Sequence, residues 1–182
     1  ALFKYAPPTG FKALVTSNMP DITIGPGQDE QADSYFNTVL WTGDGNTSRA
    51  ITGVGFAPDW MWLKSRSHTE DHALEDTVRG VGRKLDSAST AIEETTATAV
   101  LSAHGSDGFT LPASTPGNLN VNTRTYVAWN WKAGGAPTAD NSAGVGATPT
   151  AGSVKIDGAN LGSALAGSIA ATRLSANTEA GF

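Results

Sequence analysis

The sequence predicts an all-β chain: an antiparallel β-sandwich of the jelly-roll kind, with an extended N-terminal arm and a small-residue C-terminal β-hairpin region. Three observations predict it. Short runs rich in β-branched and aromatic residues recur through the middle of the chain. Glycine-bearing turns separate them at intervals of roughly 8–12 residues. The tryptophans, at 41, 60, 62, 129 and 131, all fall among these runs, and after residue 132 no aromatic appears until Phe182.

Residues 1–33 contain Pro7, Pro8, Pro20 and Pro26, which forbid a helix or a central strand, so they read as an extended arm or the end of a preceding module. Residues 34–135 form the expected core domain. Within it, residues 35–42 read as a strand, and Gly43-Asp44-Gly45-Asn46 supplies the turn of a tight hairpin leading to a second strand at 49–52. Residues 59–65, Asp-Trp-Met-Trp-Leu-Lys-Ser, are apolar on both faces, the mark of a central strand. Further strands are expected at 73–76, 100–103 and 108–111, the last two joined by a turn at 105–108. The clearest lies at 124–132, where Val127, Trp129 and Trp131 share one face. Residues 89–99 offer only a short helical turn, weakened by their threonines. Residues 136–182 are mostly Ala, Gly, Ser and Thr; burying such small side chains yields little at ~25 cal/mol per Å², so this tail is expected to pack as a β-hairpin on the core or on a neighbouring subunit.

Composition excludes several functions. Absence of cysteine removes disulfides, thiolate zinc sites and cysteine nucleophiles. A net charge of −5 with scattered Lys and Arg provides no basic stripe for nucleic acid. No apolar run approaches the ~20 residues that span a bilayer. The start lacks both Met and the charged-then-apolar order of a signal peptide, so the chain reads as a fragment or a processed product.

The candidate sites are small. His68 and His72 have an i,i+4 spacing, but the Glu of H-E-x-x-H is misplaced and nothing around them is helical, so a polar loop is expected. Asp71, His72 and Asp76 could serve a glycan hydrolase or deacetylase, yet no G-x-S-x-G elbow accompanies them. Asp44, Asn46 and Ser48 have the spacing of a calcium loop without its bidentate acid, so a plain turn is expected and no metal or other cofactor is assigned. Asn46-Thr47-Ser48 also matches a glycosylation acceptor. Asp76 and Arg79 are expected to pair locally and fix a turn at 76–80. Exposed indoles stack on sugars and buried ones anchor cores. The two-faced strand at 59–65 places most tryptophans in the core and leaves Trp41, beside the Asp44 turn, as the exposed one. Trp41, Asp44, Asn46 and His72 are therefore the candidate ligand-binding residues.

Residues 35–45 and 51–66, followed by Asp76-Thr77-Val78-Arg79-Gly80, Ser106-Asp107-Gly108-Phe109 and residues 126–135, resemble in order a domain common in bacteriophage structural proteins. Residues 5–14 resemble the end of a concanavalin-like or SPRY-like module that precedes it, and residues 175–182 the point where a further copy begins. The resemblance implies a piece of a modular virion protein, such as a tail fibre, and implies no catalytic residue. The expected function is non-enzymatic: display and adhesion to a host surface, with glycan contact, by a homo-oligomer among other virion proteins on the particle surface. A capsid-decorating or filament-forming subunit is the alternative, and a glycan-active hydrolase the second.

Overall fold

The computed structural model describes residue 9 and residues 31–46, 48–95, 100–112 and 119–182. Among them there is no α-helix; a single 3-10 turn at Ala32–Ser34 precedes twelve strands. These are β1 Phe36–Thr42, β2 Arg49–Thr52, β3 Trp60–Ser65, β4 Ala73–Asp76, β5 Arg83–Lys84, β6 Glu94–Thr95, β7 Ala103–Gly105, β8 Gly108–Leu111, β9 Thr125–Trp131, β10 Val154–Ile156, β11 Ala159–Asn160 and β12 Leu174–Ala176. No helix among the described residues is long and apolar enough to cross a membrane. The arm expected at 1–30 lies, apart from residue 9, outside the described residues.

A four-stranded antiparallel sheet runs β1-β9-β3-β4, and a three-stranded one runs β2-β8-β7. The two strands with apolar residues on both faces, β3 and β9, occupy the centre of the four-stranded sheet. One face carries Val39, Trp41, Met61, Leu63, Ala73, Tyr126 and Ala128 into a core shared with Ile51, Phe109 and Leu111 of the other sheet. Fully burying a side chain such as Phe109 or Leu111 stabilises by roughly 1.5–3 kcal/mol. Val54, Phe56, Val100, Leu101 and Leu119 close the core from loops.

The tight hairpin expected between β1 and β2 does not form. Both strands exist, but β1 pairs along seven residues with β9, whereas β2 pairs with β8 in the other sheet. A seven-residue ladder against an apolar central strand outweighs anything the four-residue β2 offers. The turn at 43–46 instead crosses between sheets and is stitched to Asn120. The Asn120 backbone carbonyl accepts from Gly45 N–H (2.9 Å), and its side-chain N–H donates to Asp44 Oδ1 (2.9 Å) and the Asn46 carbonyl (3.0 Å). Strand β7 begins only at Ala103, although Val100 and Leu101 before it are buried in the core. Where a helical turn was expected, residues 94–95 form β6, paired with β5; residues 96–99 lie outside the described residues.

Beyond β9 a mixed sheet runs β11-β10-β12. Asp157 and Gly158, both at positive φ (50° and 83°), make the two-residue turn of the β10–β11 hairpin. Strand β12 adds to β10 in parallel, a pairing absent from the hairpin expectation. This sheet docks on the core in the same chain. Gly134 N–H donates to Ser175 Oγ (2.9 Å), Ser175 Oγ–H donates to the Gly135 carbonyl (2.8 Å), and Tyr35 O–H donates to Glu179 (2.5 Å).

Gly134 allows this docking. A β-carbon there would lie 2.4 Å from the Lys155 carbonyl oxygen and 2.6 Å from that of Ala176, so the backbones could not approach. Gly134→Ala is expected to cost about 1–3 kcal/mol, read as a lower urea midpoint, and to speed proteolysis within residues 136–182. Gly144→Ala, with open space around it, should move the midpoint little; equal behaviour of the two variants would refute this account of the docking.

Candidate functional site

The register of the large sheet decides where its aromatic rings go. Phe36, Trp131, Trp60 and Asp76 stand in one row across β1, β9, β3 and β4; Thr38, Trp129, Trp62 and Leu74 stand in the next row of the same face. Four indoles thus gather on the face opposite the core. Trp60 and Trp131 lie 4.4 Å apart between ring centres, Trp131 and Phe36 4.8 Å, and Trp62 and Trp129 5.8 Å. Phe182 covers one end of the array, 6.1 Å from both Trp60 and Trp131. The four indoles are half-buried, and Phe36 and Leu40 on this face are 39% and 60% exposed.

This reverses the expected placement of the tryptophans. Trp41 is 7% exposed. Its alternation with Leu40 turns it into the core, where it stacks on Tyr126 (5.3 Å) and meets Phe109 edge-on, while its indole N–H donates to the Leu119 carbonyl (3.0 Å). His72, by contrast, sits on the aromatic face, its Nδ1 accepting from the Trp62 indole N–H (2.8 Å). Asp44 and Asn46 are neighbours in the exposed crossing turn. Asp44 Oδ1 accepts from the Asn46 N–H (2.9 Å), and that bond and the Asn120 amide hold its carboxyl below the usual range. The four candidate ligand-binding residues are therefore divided between the core, the opposite sheet face and the crossing turn. Ser48 stands at positive φ beside them, and no group of three or more acidic or histidine side chains is placed to hold a metal among the described residues.

Three further carboxylates, those of Asp59, Asp76 and Asp107, hold backbone. Buried Asp59 accepts from Thr77 O–H (2.9 Å), Ala133 N–H (2.8 Å) and Gly135 N–H (3.1 Å). Asp107 accepts from Gly53 (3.0 Å) and Gly55 (2.6 Å), whose positive φ values aim successive N–H groups at it and hold its carboxyl low. Asp76 pairs with Arg79 as the spacing suggests: Arg79 Nε donates to Oδ2 at 2.6 Å and its backbone N–H to Oδ1 at 2.7 Å. Arg79 also donates to Glu93 (3.2 Å) and the Leu74 carbonyl (3.0 Å), and Arg83 donates to Glu93 (3.1 Å). Residues 66–72 form the expected loop, in which Arg124 and Lys64 reach Glu70.

A cavity of about 650 Å³ lies where the core meets the C-terminal sheet and is lined by Tyr35, Asp59, His104, Lys132 and Asn177 among others. Burial lowers the His104 pKa against the pull of the Asp76 and Asp59 carboxylates, and its enclosed Nε2 has no partner among the described residues. Asp59, also in the cavity wall, spends both oxygens on fixed donors.

Comparison with known families assigns the chain. A family model described as a domain of unknown function, DUF7483, matches residues 31–157. The chain belongs to that family. No curated protein and no solved structure matches it. The family span takes in both large sheets and the four indoles and ends in the β10–β11 turn, so Arg173 and Phe182 lie beyond it.

Among the described residues Glu75 is the most perturbed acid. It is fully buried on the core face of β4, and neither oxygen has a hydrogen-bond partner among the described residues. Burial pushes its carboxyl up to about 7; Arg79 and the Leu101 backbone N–H favour the ionised form, the latter without reaching hydrogen-bond geometry, while Asp76 and Glu93 oppose it. With the folded value above the ordinary 4.5, the native state holds a proton that the unfolded chain releases. Stability therefore falls as pH rises from about 4.5 to about 7 and levels off above, a loss on the order of 3 kcal/mol. Glu75→Gln should flatten that stretch of the profile in urea unfolding at pH 5, 6, 7 and 8. A wild-type profile already flat would remove the assignment.

Proposed function

We propose that the chain is a non-enzymatic adhesion module of a bacteriophage appendage, which displays its aromatic sheet face to sugars on a host surface. The observation that carries this reading is the half-exposed array of Trp60, Trp62, Trp129 and Trp131, extended by Phe36. Indole faces offer large, rigid, polarisable surfaces to the C–H faces of pyranose rings, while Thr38 and Lys64 on the same face offer polar groups to hydroxyls. The β1-β9-β3-β4 and β2-β8-β7 sheets contribute to one core, which supports reading them as the halves of a sandwich that holds this face rigid.

The phage context rests on the ordered resemblance described above. Its segments are also structural partners: Gly53-Val54-Gly55 is held by Asp107, and Asp59 holds Ala133 and Gly135. The non-enzymatic reading is supported by what the acids do. Asp59, Asp76 and Asp107 spend their oxygens on structural donors, and His72 Nδ1 is occupied by an indole N–H, which argues against the hydrolase built on Asp71, His72 and Asp76.

Folded protein on a glycan array is expected to retain a subset of sugars. Trp129→Ala and Trp131→Ala should each weaken binding to those sugars about tenfold, equivalent to about 1.4 kcal/mol. Retention of no sugar by correctly folded protein, or binding indifferent to both substitutions, would sink the proposal.

A further inference from the structure

The aromatic face does not stop at the sheet edge. A groove of about 340 Å³ lies between Phe36, Trp131 and Phe182. A second, about 270 Å³, shares Phe182 and lies between Trp60 and the Val78–Arg79 turn. A third, about 450 Å³, shares Val78 and Arg79 and continues past Arg83 to Arg173. Phe182 is common to the first two and Val78 and Arg79 to the last two, so the three are neighbours along a strip that passes from aromatic rings to guanidinium groups.

The charge at its far end is unlike that of the whole chain. The net charge is −5, yet in the third groove three of the six arginines stand beside two carboxylates, Glu93 and Asp140, and the two acids of the second groove, Asp59 and Asp76, are already spent on Thr77, Ala133, Gly135 and Arg79. Arg79 is saturated by Asp76, Glu93 and the Leu74 carbonyl. Arg83 donates only through Nη1, to Glu93; Arg173 donates through Nε to Asp140 and through Nη1 to the Val78 carbonyl. Each therefore keeps its Nη2 without a partner among the described residues, and their side chains are 47% and 35% exposed. A planar carboxylate matches such forked donors better than any neutral hydroxyl does.

We infer that the strip binds a linear acidic polysaccharide, its sugar rings lying on Trp131, Phe182 and Trp60 and a uronic-acid carboxylate engaging Arg83 and Arg173. The inference rests on the sugar-binding reading of the aromatic face and adds the class of sugar. Arginine supplies the discrimination against neutral chains, and indole stacking supplies affinity common to both.

Calorimetric titration with oligogalacturonate and with a neutral dextran oligosaccharide separates the two claims. The wild type should bind oligogalacturonate at least tenfold more tightly than the neutral sugar, and added salt should erode that preference. Arg83→Gln with Arg173→Gln should abolish the preference; because Arg173 also ties down the tail that carries Phe182, neutral-sugar binding is the control for Arg83→Gln alone, which loses only the Glu93 contact and should remove part of the preference with neutral-sugar binding unchanged. Equal affinity of the wild type for both sugars, or a preference that survives the double substitution, overturns the acidic-sugar inference while leaving the aromatic platform standing. Failure of the folded wild type to bind either sugar overturns both.

Discussion

The carboxylate of Asp59 is the constraint on which the rest of the molecule depends. It is buried at the entrance to β3, and its backbone is engaged as fully as its side chain: its N–H donates to the Trp131 carbonyl (2.8 Å) and its carbonyl accepts from Thr77 N–H (2.8 Å). One residue thus joins the start of β3 to the end of β9 and to the turn after β4, fixing the row Trp131, Trp60 and Asp76. Because side chains alternate, a slip of one residue would exchange the aromatic and core faces of β3. By also accepting from Ala133 and Gly135, the same carboxylate sets the direction in which the chain leaves the large sheet for the C-terminal one. A buried carboxyl group that accepts three hydrogen bonds is held in place; an apolar side chain of similar size would leave those donors unpaired.

Much of the fold could be read from local pattern. Strands β1, β3, β4, β8 and β9 stand where alternation and β-branched residues place them, and the turn at 105–108 joins β7 to β8. Partner choice could not be read, since it is decided by non-local ladders. The glycines at 43 and 45 resemble a hairpin turn, but β1 meets β9, some ninety residues away in sequence (Phe36 opposite Trp131). Asn120, which secures that crossing, carries no recognisable signal in sequence.

The candidate site was legible only in part. Alternation in β9 placed Val127, Trp129 and Trp131 on one face, and the structure keeps them there. Which face meets the core depends on the partner strands: the four apolar residues that open β3, Trp60 to Leu63, are compatible with both, and Met61 and Leu63 take the inside. Trp41 shows the same ambiguity: the nearby turn suggests exposure, but its parity with Val39 turns it into the core. Arg173 and Phe182, distant in sequence from the strands they border, reach the site only through the C-terminal sheet.

The 4.4 Å separation of the Trp60 and Trp131 rings has an optical consequence. Transition dipoles so close and so inclined mix, and the coupled pair absorbs left- and right-circularly polarised light unequally in a way that isolated indoles do not. With Phe182 packed against both rings, this chromophore straddles the junction between the large sheet and the chain's last residues. The protein therefore carries an internal spectroscopic gauge of whether that junction is closed, readable without any label.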